Sequence, residues 1–147
     1  MRRVNLFAPE FDRAQQRSGY SWRAAAVGRQ LGAARVGGSL YELGEGERTF
    51  LYHFPHGMEE WAIVVDGTPV LRGPDGEREL RRGDAVCFPR GPEGGHQLRG
   101  PGLVLLLSAN CAPESTEYTD SGKIGVLPPG RIFRAADAVD YWEGEGD

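Results

Sequence analysis

Cysteine is scarce in this 147-residue chain: Cys87 and Cys111 are the only two. Two thiols make no disulfide framework, and each adjoins an apolar, strand-like run, so both are expected as buried free thiols. Long apolar runs are missing as well. A stretch such as Leu103–Leu107 falls far short of a membrane span, and no apolar segment of signal-peptide length follows Arg2 and Arg3. There is no excess of positive charge: Lys plus Arg number 17 against 21 Asp plus Glu, a net charge of −4 with a pI of about 5.4. That balance argues against nucleic acid or an anionic membrane as a partner. No helix-turn-helix pattern of a DNA-binding regulator is apparent. A soluble cytoplasmic protein is the expectation.

Glycine and proline, in contrast, are plentiful, at 22 and 10 residues. That richness suits short strands joined by turns. Strands are expected at 20–27, 35–43, 49–54 (stopped by Pro55), 61–65, 69–72, 77–80, 85–88, 96–99 and 103–108. Asp66-Gly67 and Pro74-Asp75-Gly76 are turn signals between them. Strand runs about 8–12 residues apart point to an all-β sandwich or barrel. The length fits one domain spanning 1–147, with a barrel core at about 35–110. Residues 1–19 read as an arm with a short helical turn near Phe11–Gln16. Residues 113–147 read as a flap over one end or edge, with a short helix or extended cover at 135–142.

Histidine occurs three times, and all three fall in two related stretches. The first is Gly46-x6-His53-x-Pro55-x4-Glu60-x6-Gly67. The second is Gly83-x5-Pro89-x-Gly91-x4-His96-x3-Gly100. Side chains alternate between faces along a strand. With His53 inward, Leu51 and Pro55 share its face, while Tyr52, Phe54 and His56 point away. Glu60 then goes with Ala62 and Val64, whereas Trp61, Ile63 and Val65 pack between sheets or against a second subunit. Two imidazoles and one carboxylate from three strands can thus meet inside a barrel. Such a set suits a divalent transition metal (iron, manganese, nickel or zinc) with positions left open for water and substrate.

These two stretches resemble the paired motifs of the cupin superfamily, in particular its small single-domain bacterial members. The likeness covers about Leu40–Ser108, with the motifs in the right order and a short 15-residue spacer, Thr68–Arg82. It implies a double-stranded β-helix (jelly-roll) barrel, a homodimer, and a metal held by His53, Glu60, His96 and the residue at 55. The chain departs from the pattern at Pro55, which cannot ligate, and at Gly100, where asparagine is usual; its second-motif loop is two residues longer. His56 becomes a reserve ligand if a bulge at Pro55 turns it inward. The implied function is a divalent metal with a small polar metabolite in the barrel, as in a metal-dependent isomerase or oxygenase. The alternatives are a non-catalytic ligand-binding or sensor protein with a degraded metal site, and a structural or interaction domain. Tyr118 and Lys123 are candidates for an acid or base, and for covering the mouth.

Overall fold

In the computed structural model, which describes residues 1–146, strands account for most of the regular structure. From the N-terminus come β1 (Arg13–Gln15), β2 (Trp22–Ala25), a five-residue helix α1 (Val27–Leu31) and β3 (Val36–Leu43). Next are β4 (Phe54–Pro55), β5 (Glu60–Gly67), β6 (Val70–Gly73), β7 (Gly76–Glu79), β8 (Ala85–Phe88) and β9 (Gln97–Arg99). The last four are β10 (Gly102–Ala109), β11 (Glu114–Tyr118), β12 (Lys123–Leu127) and β13 (Arg131–Arg134).

One layer of the jelly roll is a six-stranded antiparallel sheet in the order β1-β2-β3-β10-β5-β8. The other consists of two smaller sheets, β13-β12-β11-β4 and β7-β6-β9. Isolated antiparallel bridges, Arg48↔Arg99 and His53↔His96, carry the chain between β3 and β4 alongside β9.

The run Leu103–Leu107 is apolar throughout because β10 is central and covered on both faces. Val104 turns inward to Ala62, Val64, Leu71, Phe88 and Leu98, which form the core between the layers. Leu105 turns outward, where it joins Ala25, Val27, Leu40 and Val65 under Val4, Leu6 and Phe11 of the N-terminal arm. The same alternation on β5 puts Ala62 and Val64 inside and Ile63 and Val65 outside, and so aims Glu60 inward. Trp61 keeps 44% of its surface exposed. Gly67, at φ +84°, lets β5 approach β10 closely: a Cβ there would lie 2.7 Å from Gly102 Cα.

Several sequence expectations need correction. The strand at 20–27 is shorter, and α1 begins at Val27. The segment near Phe11–Gln16 is the strand β1, bonded to β2, and not a helical turn. Residues 49–53 form no ladder; the strand here is only β4, which does end at Pro55 as expected. The Pro55 carbonyl accepts from Gly91 N at 2.8 Å. The C-terminal flap is built from strands: β11 pairs with β4 at Thr116↔Pro55 and Glu117↔Phe54, then with β12, which pairs with β13. The polar sequence of these strands concealed them, since they sit at the edge of the second layer. The stretch 135–142 holds only a 3-10 turn, Ala135–Asp137, with Val139, Tyr141 and Trp142 exposed. Both cysteines are exposed rather than buried. Cys87 is on the edge strand β8, on the face opposite Phe88, and Cys111 lies past the end of β10. No helix among the described residues is long and apolar enough to cross a membrane.

Leu98 is 0% exposed, at the centre of the inner core and two residues from His96. Leu98→Ala is expected to cost about 2–5 kcal/mol in urea denaturation. A loss under about 1 kcal/mol would show that the site does not sit on a tightly packed floor.

Candidate metal centre

The two histidines face each other across a reciprocal backbone pair. His53 N donates to His96 O at 3.2 Å, and His96 N donates to His53 O at 2.9 Å. Directly opposed residues of an antiparallel pair put their side chains on the same face. Here that face is the interior, and the ring centroids lie 4.8 Å apart.

Each imidazole is anchored in the same way. His53 Nδ1 lies 3.0 Å from Leu51 O, and His96 Nδ1 lies 2.8 Å from Gly94 O. A carbonyl only accepts, so each ring carries its proton on Nδ1 and leaves the Nε2 lone pair free. Both Nε2 atoms turn to Glu60 Oε2, at 3.6 Å for His53 and 3.5 Å for His96. Those separations are long for hydrogen bonds. Donors about 2.0–2.2 Å from a shared ion stand roughly 3–3.6 Å apart at ordinary ligand angles, so the spacing suits a metal. The three ligand atoms lie within 4.8 Å of one another. The carbonyl contacts supply the outer support that orients metal-binding imidazoles.

Aromatic rings enclose the pair. Phe88 stacks on His96 at 3.8 Å and 6°, and Phe50 meets His53 edge-on at 4.7 Å. Tyr118 stacks on the His53 ring at 5.9 Å. His96 is only 1% exposed, while the side chains of His53 and Glu60 keep 13% and 23%, so solvent reaches the cluster from their side. Burial, followed by the neighbouring His53, pulls the His96 pKa down to about 4. Its lone pair is therefore available at neutral pH. Burial and the Glu60 charge push the Tyr118 phenol upward, which keeps it a proton donor.

The loops around the cluster are held by specific contacts. A Cβ on Gly94 would lie 1.6 Å from Pro89 O, so only glycine fits where the carbonyl that anchors His96 is presented. Buried Glu114 accepts from the backbone N–H groups of His56, Gly57 and Ser115 at 2.9, 3.0 and 2.9 Å, fixing the connection from His53 to Glu60. Arg72 on β6 grips Asp120 with two hydrogen bonds of 2.6 and 2.9 Å and lies over the Tyr52 ring at 4.2 Å. That contact ties the β11–β12 turn, and with it Tyr118, to the neighbouring small sheet. Asp120 is correspondingly held below the usual carboxylate range.

His56 is not brought to the cluster. Its Nε2 lies 2.8 Å from Glu117 Oε1, and its side chain is 44% exposed. Cys87 also lies away from the cluster, among exposed groups near Glu59.

Beside the cluster is a cavity of about 470 Å3 whose lining includes Trp22, Tyr41, Phe50, Tyr118, Lys123 and Arg17. His53, Glu60 and His96 do not line it themselves, but Phe50 and Tyr118 do, and both pack on His53. Sequence reasoning singled out Tyr118 and Lys123 and missed the others. Those come from the arm, β2, β3 and an irregular loop, and no motif spacing links them.

Residues 39–108 match the cupin domain family model, and this stretch is a cupin domain. A sugar phosphate isomerase of the cupin superfamily from Silicibacter pomeroyi superimposes with a TM-score of 0.79 at 22% identity, covering 98% of this chain and 99% of that one. A candidate sugar phosphate isomerase from Acidithiobacillus ferrooxidans gives 0.78 at 20% identity, covering 86% of each chain. A polyketide cyclase from Streptomyces resistomycificus gives 0.56 at 26% identity, over 78% of this chain and 83% of that one. No curated protein matches the sequence.

For the metal-free protein, the His96 value sets a pH dependence. Its folded value of about 4 lies below the ordinary 6.5, so the unfolded chain takes up this proton first as pH falls. Stability should be full above about pH 6.5 and decline until the folded ring titrates near 4, a loss of about 3 kcal/mol at about 1.4 kcal/mol per unit. Denaturation of chelated protein across this window should show the drop, and His96→Gln should reduce it. An equal drop in that variant would assign the effect to other groups.

Proposed function

We propose that this cupin-domain protein binds a divalent transition metal (iron, manganese, nickel or zinc) through His53 Nε2, Glu60 and His96 Nε2. In this reading it is a metal-dependent isomerase or oxygenase that acts on a small polar metabolite in the adjoining cavity. One observation carries the reading: both imidazoles are fixed through Nδ1 to backbone carbonyls, and both free nitrogens face the same carboxylate oxygen at non-bonding distance. A purely structural Glu–His pair would close to hydrogen-bond length. The ion would supply Lewis-acid polarisation of a substrate oxygen, or a site for activating dioxygen.

The chain's own residues would do the remainder. Tyr118, with its phenol kept protonated, is placed beside His53 to donate a proton or hydrogen bond to a bound oxygen. Lys123 lies 5.9 Å from the Tyr118 ring and adds positive charge on the same side. Phe50 and Phe88 hold the imidazoles and exclude water from behind them. The names of two neighbours, both called sugar phosphate isomerases, agree with a polar metabolite, although at their low identity the likeness extends to the fold alone.

Pro55 favours a second reading. It stands where the family pattern has a ligating histidine, and it is fully buried, so that position offers no donor. A protein with the weaker three-donor set could bind a metabolite without turnover.

Elemental analysis of untagged protein should find close to one equivalent of metal. His96→Ala, and independently Glu60→Gln, should each reduce it at least about tenfold. Full stoichiometry in both folded variants would overturn the ligand assignment. Pro55→His should tighten binding by about tenfold or more if position 55 faces the ion; unchanged affinity would show that it does not.

A further inference from the structure

The net charge of the chain is −4, yet the cavity beside the cluster is lined by two cations, Arg17 and Lys123, and by no carboxylate. Among the described residues, neither cation has a carboxylate within ion-pair distance. Lys123 is half-buried, with its ammonium 5.9 Å from the Tyr118 ring. The acidic residues next to this wall in sequence are engaged elsewhere: Glu42 with Arg23, Glu117 with His56, and Glu47 with the Ser21 N–H at 2.7 Å.

A second, independent sign is on the same wall. Trp22 lines the cavity, and its indole Nε1 is buried without a hydrogen-bond partner among the described residues. Indole N–H is a donor only and ordinarily finds an acceptor when buried. The Trp22 N–H and the two cations of this lining are all donors. The remaining walls are mainly aromatic: Tyr41 meets Trp22 edge-on at 5.2 Å and Phe50 at 6.3 Å, which makes a stiff apolar surface reaching to Tyr118. A volume of about 470 Å3 is in the range that encloses one small organic molecule.

We infer that the cavity takes a small organic anion. Lys123 and Arg17 hold its carboxylate or phosphate, the Trp22 N–H donates to one of its acceptors, and its flat body, a ring or a sugar face, lies on the aromatic wall. This names the ligand class for the proposed metal-dependent function and rests on that reading only for the chemistry after binding.

Calorimetric titration of the full-length protein tests it, as purified and after chelation. The probes are phenyl phosphate, benzoate and the neutral phenol. Both anions should bind, and phenol should bind at least about tenfold more weakly than the better anion. Whichever anion binds more tightly identifies phosphate or carboxylate as the preferred group. Lys123→Met and Arg17→Gln should each weaken that anion about tenfold, and Lys123→Arg should retain most of the affinity. Phenol binding as tightly as the anions, unchanged affinity in both neutral variants, or no binding of either anion at millimolar concentration would each overturn the inference. Metal content, measured on the same samples, separates the two proposals. Anion binding by protein that never takes up metal would support this inference and sink the metal reading. Metal at full stoichiometry with no anion binding would do the reverse.

Discussion

The antiparallel pairing of His53 with His96 is the constraint on which the site depends. Two hydrogen bonds lock these residues opposite each other where the surrounding chain forms no continuous ladder. An isolated bridge is weak by itself. It persists because Leu98, next along, is fully buried, and because Thr49 N donates to Leu98 O at 3.1 Å, repeating the pairing further down the same two segments. Irregular backbone before His53 is tolerated because its polar groups still find partners: Gln97 Nε2 reaches Phe50 O at 2.6 Å. The centre is therefore set where a loop is made to behave as a strand for a few residues.

The other elements act by placing Glu60 against that pair. Glu60 opens β5, which lies between β10 and β8 in the larger sheet, so its position is inherited from the most buried part of the fold. The histidines belong to the opposite layer. The cluster thus spans the two layers, and its geometry depends on the packing of Ala62, Val64, Leu98 and Val104 between them. Glu114 and the Arg72–Asp120 pair work at the periphery of the same arrangement. One holds the connection from His53 to Glu60, and the other holds the hairpin that carries Tyr118.

Much of this could be read in the sequence, for a definite reason. His53, Glu60 and His96 lie at fixed distances from glycines whose turns set strand register, and strict alternation on β5 gave Glu60 the same face as Ala62 and Val64. His56 was predictable in the same terms: alternation points it away from His53, and its ring lies beside Glu117. The cavity was not legible. Trp22, Tyr41, Phe50 and Arg17 share no periodicity and meet only through the topology. The strands β11 to β13 were concealed by polar sequence, because an edge sheet needs few apolar residues. The cysteines were misjudged because adjacency to an apolar run does not fix the face: Cys87 alternates with the buried Phe88, and so faces out.

Pro55 removes a donor from the candidate centre without changing its charge. Its place in β4 is structurally sound, since it gives its carbonyl to Gly91 N and its buried ring to the core. What it removes is a neutral donor, leaving two neutral imidazoles and one carboxylate. Such a set carries a single negative charge, so it would only partly offset a divalent ion and would leave net positive charge behind Phe50 and Tyr118. Arg17 and Lys123 add positive charge to the cavity on the other side of those rings. A neutral ligand would leave that accumulation uncompensated. An anion would balance it. If both proposals hold, the ion and the two cations of the cavity share one counter-charge, which the bound molecule supplies.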